Sequence, residues 1–123
     1  MFASFFLTML NREASSARSR PSEIIRSLSI HEGNVIADVG SGGGYFTLAF
    51  ARLCGKIGRV YAIDIKPKYL DFIRSRAAQE GLENIRYVLA GDEESILPAS
   101  GLDLVFCRNV FHHVPFRRII SIQ

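Results

Sequence analysis

Two carboxylates and a run of glycines are the residues of this 123-residue chain best suited to chemistry. Asp38 stands just ahead of Gly40-Ser41-Gly42-Gly43-Gly44, and Asp64 comes about 20 residues after that loop, the offset at which an acid meets a sugar diol in nucleotide-binding turns. Glycine admits backbone angles closed to other residues and lets a ligand lie against bare backbone. A helix that begins at such a turn offers its first N–H groups to an anionic group. A Gly-rich turn by itself signals no more than a tight loop; the two acids around it make it a candidate binding site. Each acid also has a plainer reading: Asp38 as a cap of the loop backbone, Asp64 as a cap of the next helix.

These residues need strands to carry them. Val35-Ile36-Ala37-Asp38-Val39 is an almost wholly apolar run, as expected of a strand covered on both faces of a parallel sheet. A helix over Tyr45–Leu53 follows the loop and stops near Gly55. Arg59–Asp64 reads as a second strand, and Pro67 or Lys68 to Glu80 as a helix with Tyr69, Leu70, Phe72, Ile73 and Ala77 inward and Gly81 as its stop. Asn84–Ala90 is a third strand, Leu102–Cys107 a fourth, and the chain from Phe116 reads as helical. Upstream, Pro21–Leu28 is a short helix with Ile24, Ile25 and Leu28 on one face. Strands alternating with helices imply an α/β fold, a Rossmann-like parallel sheet with right-handed crossovers. In such sheets ligands bind beyond the carboxyl ends of the strands, where the loop and Asp64 lie.

The pattern selects among adenosine-containing ligands. A dinucleotide site would place a third glycine where Tyr45 stands, and a P-loop needs a Gly-Lys-Ser/Thr that is absent. S-adenosylmethionine carries an ammonium, a carboxylate and a sulfonium but no phosphate; an acid beside the loop suits the ammonium and loop N–H groups suit the carboxylate.

Asp38-Val39-Gly40-Ser41-Gly42-Gly43-Gly44 resembles the first motif of class I S-adenosylmethionine-dependent methyltransferases, an acid followed by Gly-x-Gly-x-Gly. Val60-Tyr61-Ala62-Ile63-Asp64 resembles their second motif, Gly91-Asp92 the adenine-side position, and Leu102–Phe106 the fourth-strand motif, so the resemblance runs from Pro21 to Val114. It implies that Gly40, Ser41, Gly42 and Gly44 line the methionine part and that Asp38 helps hold the ammonium, directly or through water. Asp64 would bind the ribose diol, Ile65 would pack on the adenine and Asp92 would sit near its amine. Ile65 as plain core and Asp92 as a solvated turn residue are the competing readings. Arg108 or Asn109 would lie near the methyl group.

Arg108-Asn109-Val110-Phe111-His112-His113 is the hint about the acceptor. It departs from the Asp/Asn-Pro-Pro-Tyr/Phe tetrad of enzymes acting on amide and nucleic-acid nitrogens and looks more like the small-molecule branch, including quinone-biosynthesis methyltransferases. A small-molecule acceptor is therefore expected and nucleic acid is not. His112 is a candidate general base near neutral pH, against the plainer reading of one packed and one exposed histidine. The histidines do not assemble a metal set.

Composition sets the outer bounds. With 48% apolar and 22% charged residues and a net charge of +3, the chain is an ordinary globular domain with its basic residues spread out. Cys54 and Cys107 lie far apart, as buried thiols in a reducing, cytoplasmic setting; Cys107, on an apolar strand, is expected in the core. Residues 1–20 form an expected amphipathic helix, with Phe2, Phe5, Phe6, Met9 and Leu10 on one face, either packed on the domain or closing over the ligand; a mitochondrial presequence is the third reading. Met1–Leu10 is too short to span a bilayer. Residues 21–123 form the binding domain. The family sheet has seven strands, ordered 3-2-1-4-5-7-6; about four are legible here, in order 3-2-1-4, so a truncated chain is expected, or one that completes its sheet by self-association or with a partner covering the fourth strand's edge. The functional readings are thus a methyltransferase, a non-catalytic S-adenosylmethionine-binding module, and a nicotinamide-dependent oxidoreductase or epimerase.

Overall fold

The computed structural model describes residues 20–91, 96–97, 101–107 and 121–122. Helix α1 (Pro21–Ser27) precedes β1 (Val35–Val39), α2 (Tyr45–Cys54), β2 (Arg59–Asp64), α3 (Pro67–Glu80) and β3 (Ile85–Leu89); then come β4 (Ile96–Leu97), β5 (Leu104–Cys107) and β6 (Ser121–Ile122). Four strands form one parallel sheet in the order β3-β2-β1-β5, the expected 3-2-1-4 arrangement. The expected β1 and β2 agree with the observed strands to the residue.

The register decides which side chains share a face. Ala37 pairs with Tyr61 and Asp38 with Ala62. Successive strand side chains alternate between faces. Ile36, Val60, Ala62 and Ile85 pack with Phe46, Leu48, Phe50, Ala51, Leu70, Ile73 and Ala77 of α2 and α3. Ala37, Val39, Ile63 and Ala90 form a second cluster on the opposite face, joined by Tyr61, Ile65, Val88 and Leu102. By the same alternation Asp38 and Asp64 belong to the face that α2 and α3 cover.

Two devices hold the helices in place. Phe106 of β5 lies 4.9 Å from Phe46 and 5.2 Å from Phe50 between ring centroids, an aromatic cluster that ties α2 over the β1–β5 pair. Such pairs add about 0.5–1.5 kcal/mol each beyond their buried area. At the other end of α2, Asn84 donates through Nδ2 to the carbonyls of Ala51 and Gly55, at 2.8 and 2.9 Å, and Gly33 N–H donates to that of Cys54 at 2.8 Å, so acceptors at the helix end find partners. Helix α3 ends at Gly81 (φ 71°), where Leu82 N–H returns to the Ala77 carbonyl at 2.9 Å.

The structure corrects three expectations. Cys107 is exposed rather than buried: β5 is the edge of the described sheet and alternates half-buried Leu104 and Phe106 with exposed Val105 and Cys107, while Cys54 is buried as expected. Phe72 is half-buried and meets the guanidinium of Arg76, 5.8 Å from its ring centroid, because the inward stripe of α3 is Tyr69, Leu70, Ile73 and Ala77. Finally, Ser121–Ile122 is a strand, paired in parallel with Ile96–Leu97 in a second small sheet, where a helix was expected. Two-residue strands are too short to carry a periodicity that separates strand from helix. The helix expected over residues 1–20 falls, up to residue 19, outside the described residues.

Candidate functional site

At the carboxyl end of β1 the chain turns back through the glycine loop into α2. Gly40 N–H and Ser41 N–H both donate to the Ile63 carbonyl of β2, at 2.8 and 3.0 Å, so the loop is anchored to the neighbouring strand. Gly44 is the N-cap of α2, with φ 86°; a Cβ built there would lie 2.7 Å from Ile73 Cγ1. Its glycine requirement thus comes from a left-handed backbone and from the close approach of α3.

The two acids are buried at the same end of the sheet. Asp38 is 3% exposed and Asp64 fully buried. Thr47, in the first turn of α2 and also fully buried, donates from Oγ1 to Asp38 Oδ2 at 2.5 Å. Asp64 Oδ2 accepts the Gly42 N–H at 2.9 Å, and its Oδ1 accepts those of Ile65 and Lys66 at 2.8 and 3.2 Å. Asp64 therefore does cap the turn into α3, as its plainer reading held, and it also pins the loop. Three donors occupy three of the roughly four acceptor sites of a carboxylate, which leaves one acceptor site at Oδ2, enough for one hydroxyl rather than both of a diol.

Burial dominates the electrostatics. It pushes the Asp38 carboxyl from 3.8 up to about 7; the Thr47 hydrogen bond opposes this and the charge of Asp64 adds to it. Burial likewise pushes Asp64 up to about 6, against its three backbone N–H bonds and the charge of Lys66. Tyr69 of α3 is raised to about 12, first by burial and then by the charge of Asp64, which puts its phenol in the field of the same site. Ser41 Oγ is buried and finds no hydrogen-bond partner among the described residues. An orphaned buried hydroxyl costs about 1–3 kcal/mol, so it is a natural place for a ligand's polar atom.

The structure thus brings Asp38, Gly40, Ser41, Gly42, Gly44 and Asp64 together at one end of β1 and β2, with Ile65 half-buried beside them on the second apolar cluster. Gly44 faces α3 rather than the space between the acids. Asp92, Arg108, Asn109 and His112 lie outside the described residues. Thr47 escaped sequence reasoning; its signal was a β-branched hydroxyl residue in the first turn of an otherwise apolar helix. A cavity of about 550 Å³ opens at the opposite, amino end of the strands, lined by Arg52, Lys56, Arg59, Asn84 and Arg86 among others. Open α/β sheets bind ligands at the other end, so this cavity is not the candidate. Among the described residues no group of three metal-ligating side chains occurs, and no helix is long and apolar enough to cross a membrane.

Comparison with known proteins agrees with this geometry. A family described as "Methyltransferase domain" matches residues 36–121. The chain is 38% identical over 77 residues to the ubiquinone/menaquinone biosynthesis C-methyltransferase of Hydrogenovibrio crunogenus, covering 62% of this chain and 30% of that protein. It is 32% identical over 81 residues to the protein-L-isoaspartate O-methyltransferase of Methanocella arvoryzae, covering 66% of this chain and 43% of that one. The chain thus spans less than half the length of these relatives. A SAM-dependent methyltransferase from Aquifex aeolicus superposes with a TM-score of 0.77 at 22% identity, over 98% of this chain and 69% of that one, a likeness of fold.

Proposed function

We propose, for a chain that belongs to the class I S-adenosylmethionine-dependent methyltransferases, that its buried acids hold the cofactor of an enzyme that methylates a small molecule. The observation that carries this reading is the pair Asp38 and Asp64: two nearly inaccessible carboxylates on one face of adjacent strands, both pushed toward the neutral form by burial. A ligand bearing positive charge relieves that cost; one bearing phosphate aggravates it. The residues fit S-adenosylmethionine. Asp38 offers an acceptor to its ammonium, Asp64 Oδ2 one to a ribose hydroxyl, Ser41 Oγ an unused hydroxyl, and Ile65 an apolar surface for the adenine. When bound, the cofactor supplies a methyl group on a sulfonium that is already a good leaving group. The chain's own residues bind it, hold its orientation and keep the acids' surroundings dry. Arg108, Asn109 and His112, next along the chain after β5, are the residues we assign to the acceptor side, His112 as a base where the acceptor must lose a proton.

The relative named for ubiquinone/menaquinone biosynthesis supports a small-molecule acceptor, and the one named for protein L-isoaspartate supports a protein one. Calorimetry with S-adenosylmethionine, S-adenosylhomocysteine and NAD tests the cofactor. Binding of the first two is expected, weakened by at least about 1.5 kcal/mol in Asp64→Ala, the loss for a hydrogen bond to a charged group. Preference for NAD would overturn the assignment. Methyl transfer from labelled cofactor to a panel of phenols, quinols and isoaspartyl peptides then separates the two acceptor classes, and binding without transfer marks a non-catalytic module.

A further inference from the structure

Thr47 has a bonding pattern that helix formation does not require. Serine and threonine inside helices commonly bond back to a carbonyl three or four residues earlier. Thr47 instead donates 2.5 Å across to Asp38 Oδ2 on β1, with both residues buried. A carboxylate on a strand end is free to turn about its terminal torsion, which is broad and lacks deep wells. A buried donor on a rigid helix removes that freedom. It also favours the ionised carboxylate, the form that an ammonium needs, against the opposing effect of burial.

We propose that Thr47 is the positioning residue of the cofactor site: its hydroxyl sets the plane of the Asp38 carboxylate and favours its ionised form for the amino end of the cofactor. The inference rests on the reading of Asp38 as the ammonium acceptor. The groups that act on Asp38 are Thr47 from α2 and Asp64 from β2; the Cys107 thiol of β5, paired beside Val39 on the other face, is raised by burial and then by the charge of Asp38. Of these, Thr47 alone favours the charged form.

The test uses two ligands that differ in the amino-acid end. S-adenosylhomocysteine carries the ammonium; 5′-methylthioadenosine keeps the adenosine and the thioether without it. Affinities of the full chain and of Thr47→Val, Thr47→Ala and Thr47→Ser are measured by calorimetry from pH 6 to 9. Loss of the hydroxyl is expected to weaken S-adenosylhomocysteine roughly tenfold at pH 7, the scale of a hydrogen bond to a charged group. It should also move the midpoint of the affinity–pH curve upward and leave methylthioadenosine within about twofold, since that ligand makes no charge-assisted bond there. Serine restores the wild-type values. Alanine adds no bulk, so the comparison survives if the fold rejects valine. Equal losses for both ligands, or an unmoved pH midpoint, would reduce Thr47 to a packing residue. If wild type binds methylthioadenosine yet gains nothing from the amino-acid end, Asp38 is not the ammonium acceptor. If it binds neither, the cofactor reading falls.

Discussion

Asp38→Asn is the most direct probe of the buried acids, because it removes a charge and keeps the shape. In the folded chain Asp38 stays protonated up to about pH 7; in the unfolded chain it ionises near 3.8. Between those values the native state binds the extra proton, so stability falls as pH rises and the loss is complete above about 7. At 1.36 kcal/mol per pH unit the displacement corresponds to about 4 kcal/mol. From pH 5 to pH 8 roughly two pH units of it are sampled, or about 3 kcal/mol. Asparagine does not titrate, and its carbonyl still accepts from Thr47. Urea denaturation of ligand-free wild type and Asp38→Asn at pH 5, 6, 7 and 8 should therefore diverge, with the variant gaining about 3 kcal/mol on wild type across the series. Taking the difference cancels every other titrating group, Asp64 included, apart from its coupling to Asp38. Two stability curves that stay parallel would show that Asp38 ionises normally in the fold, and the argument from burial would fail.

Two further predictions concern the frame around the site. Gly44→Ala must hold φ 86° and push against Ile73 Cγ1 at 2.7 Å; it should cost about 2–3 kcal/mol in thermal or chemical denaturation. Arg52 bonds Glu80 through Nε and Nη2 at 2.7 and 2.8 Å, joining α2 to α3. That pair is half-exposed, so Arg52→Met should cost less than about 1 kcal/mol. The Glu80 carboxyl, held below its usual range chiefly by that hydrogen bond, should move back toward the ordinary value when followed by NMR.

What the sequence made legible follows the physics of each segment. Val35–Val39 and Arg59–Asp64 were readable because central parallel strands are apolar on both faces and are bounded here by glycine and proline. The end of α3 was readable because Gly81 takes a left-handed cap. The loop and both acids were readable from composition and offset. How the acids bond was not. Asp64 accepting from Gly42 depends on two strands lying in register, and Thr47 meeting Asp38 depends on the rotation of α2 about its axis; neither is local. Cys107 misled for a related reason. A run such as Leu104–Cys107 is as apolar as a central strand, but Val105 and Cys107 share a face that is left exposed, and which faces are covered is not a local property.

The same non-local geometry bears on which ligand the site takes. Pairing Asp38 with Ala62 puts Asp64 one same-face step further along β2, so two carboxylates share one face of neighbouring strands, near enough for the charge of Asp64 to act on Asp38. Neither has a basic side chain bonded to it among the described residues; their donors are a hydroxyl and backbone N–H groups. Uncharged donors stabilise a carboxylate only partly, which is why both acids remain raised despite four such bonds. The loop's own N–H groups, which a pyrophosphate would need, are spent at Gly40 and Ser41 on Ile63, at Gly42 on Asp64 and at Gly44 on the Ser41 carbonyl. Two acids with no basic side chain bonded to them among the described residues, beside donors already committed, are ill suited to phosphate and well suited to a cation; the same commitment means that these N–H groups are not free for the cofactor's carboxylate, the role the sequence suggested for them. That charge logic, independent of any likeness to known proteins, is our reason for preferring a sulfonium-bearing amino acid over a dinucleotide.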